Sequence, residues 1–99
     1  MPVMPVGARM ADIEDLTRMV VSVQAEAASH GKLTLWTIYD KPKDHPDEIV
    51  ARRHEVPGGP TENLMGGDLG LLREVFRGAG LVCVGRREGD DVKIVETWL

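Results

Sequence analysis

Cysteine occurs once in the 99 residues, as Cys83 in the stretch LVCVG. A single thiol excludes an intramolecular disulfide and any zinc site built on paired cysteines. Flanked by Val82 and Val84, it reads as a small apolar residue of a buried strand. A small domain without disulfides fits a reducing compartment, so a cytoplasmic location is expected. Aromatics are nearly as scarce. Trp36, Tyr39, Phe76 and Trp98 are the whole set, which leaves the core to Val, Leu, Ile, Met and Ala. No apolar run approaches the roughly 20 residues a bilayer span requires. The opening MPVMPVGAR lacks the continuous apolar stretch of a secretory signal. Residues 1–9, rich in proline and glycine, are expected to form a flexible tail ahead of a single domain over residues 10–99.

An excess of positive charge is also missing. Lys and Arg number 12 against 16 Asp and Glu, a formal net charge of −4. Nonspecific affinity for nucleic acid or an anionic membrane comes from clustered cations that release counterions, and this balance does not favour it. Arg52-Arg53 and Arg86-Arg87 are short pairs with acids nearby. They would form a nucleic-acid surface only if their strands were neighbours with all four side chains on one face.

What is present is clear hydrophobic patterning. Ile13, Leu16, Val20, Val23 and Ala27 recur at spacings of three and four, the stripe of an amphipathic helix over residues 11–30. Gly31 is placed to take the left-handed cap at its end. The stripe also reads as a heptad seam, but it spans too few heptads for a coiled coil, so packing on the protein's own sheet is expected. LTLWTIY, residues 33–39, is rich in β-branched and aromatic residues and has two largely apolar faces, as a central strand or one covered on both sides would. IVARRHEV, residues 49–56, reads as its hairpin partner. PGGPTENLMGGD, residues 57–68, carries every punctuation mark of a loop. Asp68 then caps a helix from Leu69 to about Arg77 with Leu69, Leu72, Val75 and Phe76 on its apolar face. LVCVGRR and DVKIVETW follow as a hairpin around EGDD, with Gly89 free to take positive φ. The expected fold is α+β: a two-layer sandwich in the order α-β-β-α-β-β, with one mostly antiparallel four-stranded sheet and two helices on one face.

The chemistry-bearing residues crowd the first hairpin. Asp40, Asp44, His45, Asp47, Glu48, His54 and Glu55 lie within sixteen residues of one another. Carboxylates with imidazole suit a divalent cation, yet the spacing matches neither an EF-hand loop nor H-E-x-x-H. Lys41, Lys43, Arg52 and Arg53 balance the acids, and Pro42 and Pro46 stiffen the connection. A solvated, proline-braced loop with screened ion pairs accounts for the same residues. Pro46-Asp47 with Asp91-Val92-Lys93 spells the letters of a PD-(D/E)xK nuclease, but both acids fall outside strands. GGDLG, residues 66–70, precedes a helix as phosphate loops do, but it lacks the Lys-Ser/Thr ending, and Asp68 occupies the place of the anion. No nucleophile elbow or Cys–His pair is recognisable.

The stretch LWTIYDKPKDHPDEIVARR resembles the opening of a group of short bacterial proteins, some of them phage-like, with the pattern W-T-I-Y-D-x-P-x-D-x-P-x-x-x-V-A-R. The match covers about a fifth of the chain. The resemblance implies that Tyr39, Asp40, Pro42, Asp44, Pro46 and Arg52 belong together, either as a turn in which Arg52 pairs back across the hairpin or as a surface read by a partner. It implies no activity.

The resulting expectation is a small non-catalytic binding or accessory module without a cofactor. Its hairpin would contact a protein partner or a second copy through Trp36, Tyr39, Asp40, Asp44, His45, Arg52, Arg53 and His54, since aromatic and Arg side chains anchor interfaces. The alternative is a metal-dependent hydrolase or nuclease using Asp40, Asp44, His45 and His54.

Overall fold

The computed structural model describes residues 10–86, 89 and 92–99, with side chains from residue 13 onward. Helix α1 (Met10–Ser29) leads into strands β1 (Leu33–Asp40), β2 (Ile49–Val56) and β3 (Gly59–Gly66). Helix α2 (Leu69–Gly78) and strands β4 (Cys83–Gly85) and β5 (Ile94–Trp98) follow. The five strands form one sheet in the order β3-β2-β1-β5-β4, every neighbouring pair antiparallel. The α+β class is therefore as expected, but the sheet has five strands and the order is α-β-β-β-α-β-β. The expected tail, residues 1–9, lies outside the described residues, as do Arg87, Glu88, Asp90 and Asp91 in the final hairpin.

The added strand is β3, where the sequence reads as a loop. Its glycines and Pro60 are punctuation only where both sides of a strand must be hydrogen-bonded. An edge strand has one free side, so a proline without an N–H is tolerated there. β3 pairs with β2 alone, from Gly59 opposite Glu55 to Gly66 opposite Val50, with an irregularity between Arg52 and His54. Pro57-Gly58 make the turn, after a cis Val56–Pro57 bond.

β1 is the middle strand, as its two apolar faces imply. Thr34, Trp36 and Ile38 point to the helices and are all buried. The core gathers Leu16 and Val20 of α1, Trp36 and Ile38 of β1, Ala51 of β2, Met65 of β3, Leu72, Val75 and Phe76 of α2, and Trp98 of β5. Leu16, Val20 and Ala27 of the helical stripe are buried, and Ile13 and Val23 pack at the core's margin. The heptad-like seam thus belongs to the domain's own core. Each large apolar side chain buried in this way contributes roughly 1.5–3 kcal/mol. Phe76 sits between two indoles, with ring centroids 5.5 Å from Trp36 and 5.8 Å from Trp98.

Two helix boundaries follow the local chemistry. Gly31 ends α1 with φ of 72°, a left-handed conformation that any side chain would strain. Asp68 begins α2 with its Oδ1 accepting the Leu71 amide at 2.8 Å. Gly67 beside it is buried, and a Cβ there would fall 2.6 Å from Leu71 Cδ2. GGDLG is therefore a capped helix start pressed against its own first turn. Asp68→Ala is expected to lower stability by about 1 kcal/mol, read as a lower urea midpoint at unchanged slope.

One core expectation is overturned. Cys83 is exposed, because β4 is a three-residue strand at the edge of the sheet. A charged side chain is buried instead, Glu96 on β5, 6% exposed. Its carboxylate accepts the Trp98 indole N–H at 2.7 Å and two donors of Arg73, the shorter at 2.7 Å. The Arg73 guanidinium, and then the Trp98 indole, hold the Glu96 carboxyl below the usual carboxylate range.

Candidate functional site: the uncovered face of the sheet

Both helices lie on one side of the sheet, so no helix covers its other face, although Thr37 and Val50 on that face are buried by their neighbours, at 6% and 1% exposed. Antiparallel sheets commonly leave one face solvated, and that face is then mostly polar. Here it is not. From β1 it carries Leu33, Leu35, Thr37 and Tyr39, and from β2 Val50, Arg52, His54 and Val56, paired across the hairpin from Leu33 opposite Val56 to Tyr39 opposite Val50. Val84, Ile94, Thr97 and Leu99 extend it toward the β4 edge, where with Leu35, Tyr39 and His54 they line a depression of about 330 Å³. Val82 exchanges both backbone hydrogen bonds with Leu99 and therefore shares its side of the sheet. Leu33, Val56, Val82, Val84 and Leu99 range from 43% to 64% exposed.

Beside the apolar depression lies a smaller one of about 210 Å³ lined by Tyr39, Pro42, Asp44, Val50 and Arg52. Tyr39 borders both. Arg52 donates to Asp44 Oδ2 at 2.9 Å and to the Thr61 carbonyl at 3.2 Å, which ties the 40–48 connection to β2 and β3. The expected pairing of Arg52 back across the hairpin is thus present. The loop is held by backbone bonds as well: Lys41 N–H to the Glu48 carbonyl at 2.9 Å, and His45 N–H to that of Pro42 at 3.0 Å. Lys41 takes a positive φ of 51° at the turn's entrance. His54 Nε2 lies 3.5 Å from the Tyr39 hydroxyl. Burial first, and the neighbouring Arg52 charge second, push the His54 pKa down, so the ring is neutral at neutral pH.

The eight residues singled out from the sequence therefore divide. Tyr39, Asp44, Arg52 and His54 share the uncovered face or its rim. His45 stays in the loop, 3.8 Å from both Asp44 and Glu48, and Asp40 is exposed at the end of β1. Trp36 is wholly buried under the helices and is no surface anchor. Arg53, one residue from Arg52, projects to the helix side, donating to Asn63 Oδ1 at 2.7 Å and pairing with Glu55 at 3.1 Å. Arg52 and Arg53 thus occupy opposite faces, as alternation along a strand requires. This removes the single basic face on which nucleic-acid binding would depend. Among the described residues, no three His, Cys, Asp or Glu side chains are grouped to hold a metal ion.

A third depression, of about 290 Å³, lies on the helix side between the end of α1 and strands β2 and β3. Lys32 and Arg53 both reach Glu55 there, each at 3.1 Å. The Lys32 hydrogen bond, with Arg53 adding to it, holds the Glu55 carboxyl below its usual range. These groups satisfy one another, and an incoming ligand would have to displace an existing partner. The uncovered face asks for no such exchange.

Sequence reasoning found the hairpin and allowed for an exposed sheet face, but not which residues compose that face. Val82, Val84, Ile94 and Leu99 belong to it through β4, β5 and their flanks, and only the pairing of β1 with β5 brings them beside Tyr39. No family model matches the chain, and no curated protein or solved structure matches it. No helix among the described residues is long and apolar enough to cross a membrane.

Proposed function

We propose that the protein is a small, non-catalytic, cytoplasmic binding module whose working surface is the uncovered face of its sheet. The observation that carries this reading is the run of half-exposed Leu and Val side chains at positions where a solvated sheet face would be polar. The face has the composition of an interface centre: aliphatic and aromatic residues, one Arg, and few charges. Tyr39 and Arg52 are residue types that anchor interfaces, and both are held in place, Arg52 by Asp44 and Thr61 and Tyr39 beside His54. Preset side chains lose less conformational freedom on docking.

Photo-crosslinking in the producing cell tests the reading. A photoreactive residue at Val56 or Val84 is expected to give covalent adducts with protein, either another molecule or a second copy. The same residue at Val21, exposed on α1, is expected to give none above background. Adduct yields as low on the face as at Val21 would end the proposal.

A further inference from the structure

We infer that the occupant of the uncovered face is a second copy of this chain, the two sheets stacking about a two-fold axis into an α-β-β-α assembly. This rests on the reading of the face as a docking surface and names its partner.

The breadth of the face argues for a sheet as its occupant. Five strands about 4.8 Å apart give a surface about 20 Å wide, about 25 Å long at the three eight-residue strands and shorter at β5 and β4. An α-helix, about 10 Å across, would cover only half that width. A second sheet of the same outline covers it fully. Side-chain relief raises the accessible area above the projected one, toward the roughly 800 Å² per partner that stable complexes bury.

Charge argues that the second sheet is the protein's own. The chain as a whole carries −4, yet the part of its uncovered face built by β1, β2, β4 and β5 carries no unmatched charge, and the exposed Glu62 of β3, in step with Pro60 and Leu64, stands at its border. Arg52 is matched by Asp44 at 2.9 Å, and His54 is uncharged at neutral pH for the reasons given above. A strongly acidic or basic partner would find no opposite field to complement. Two copies meeting through β1, β2, β4 and β5 bring no like charges together, even though their remaining surfaces repel weakly. Aliphatic side chains of both sheets can interdigitate at the usual spacing of about 10 Å, with strands crossing near 30°. Such an interface is isologous, so each apolar position serves both subunits and the assembly closes at two.

Sedimentation velocity on the full chain, from micromolar to submillimolar concentration, tests this. The wild-type protein is expected to sediment as a species of twice its 10.9 kDa mass. Val56→Lys and Val84→Lys change half-exposed side chains, so circular dichroism should show both variants folded. A lysine buried unpaired in the interface should weaken association by about 100-fold or more. Val21→Lys, on the opposite side, should dimerise like the wild type. A wild type that stays monomeric, or face variants that dimerise as tightly as it does, would overturn the inference. Its failure is separable from that of the docking reading. A monomer that still crosslinks from Val84 to a different protein refutes self-pairing alone, whereas a monomer without adducts refutes both.

Discussion

Phe76→Ala is expected to lose about 4 kcal/mol of stability, from a total of about 5–15 kcal/mol for a domain of this kind. The reason is the position of the ring more than its size. Phe76 is fully buried, and it touches both tryptophans of the protein, Trp36 on one side and Trp98 on the other. Removing it leaves a void bordered by two rigid indoles, one on the central strand and one on its neighbour, which the sheet prevents from closing together. Phe76→Leu keeps most of the volume and is expected to cost only about 1–1.5 kcal/mol. Urea unfolding measures both. Tryptophan emission gives an independent check, since water entering beside either indole in the Ala variant shifts its maximum to longer wavelength. A loss below about 1 kcal/mol for Phe76→Ala would show that α2 does not hold this ring between the tryptophans.

Glu96→Ala is expected to cost about 2–3 kcal/mol, most of it from the Trp98 indole N–H left buried without an acceptor. Arg73, which is partly exposed, regains water and adds less. Glu96→Gln retains an acceptor and is expected to lose about half as much. The wild-type carboxyl has its pKa below the value of the unfolded chain, because Arg73 and Trp98 favour the ionised form. The unfolded state therefore binds the proton more readily. This contribution is complete above the unfolded carboxyl pKa, near 4.3, and disappears as pH falls through the lower folded value. Denaturant midpoints measured across the acid range should show the wild type losing its advantage over Glu96→Gln there. Parallel curves for the two proteins would remove Glu96 from this role.

These two clusters differ in how far the sequence discloses them. Phe76 belongs to a helical stripe with Leu72 and Val75, and periodicity alone places it in the core. Glu96 does not declare itself. A carboxylate in a strand reads as solvent-facing, and its partner Arg73 lies on a helix 23 positions away in sequence. Period-two alternation would also place Ile94, Glu96 and Trp98 on one face. The register shifts between Ile38 and Tyr39, so that Tyr39 meets Ile94 while Ile38 meets Glu96. The extra residue, Val95, turns Ile94 to the uncovered side. Strand β3 was hidden for a different reason: its proline and glycines are compatible with an edge, and no local pattern reveals which strands will be edges. Cys83 is exposed for a related reason, since its apolar neighbours identify a strand but not its place in the sheet. Of the hairpin, the resemblance implies only that Arg52 could pair back across the turn and names no partner, while the separation of Arg52 from Arg53 by strand alternation becomes decisive only once the helices occupy one side.

The two borders of the sheet also limit how molecules of this protein can join. Strand addition needs a long, straight row of unpaired backbone groups. β4 offers three residues, and β3 offers a strand broken by a register shift, with Pro60 lacking an N–H near its start. Neither is a good template for another strand. Growth from border to border would propagate without end, as fibres do, whereas contact through the broad surface is consumed once it is made. The poor borders and the apolar surface thus act in the same direction, toward an assembly of finite size.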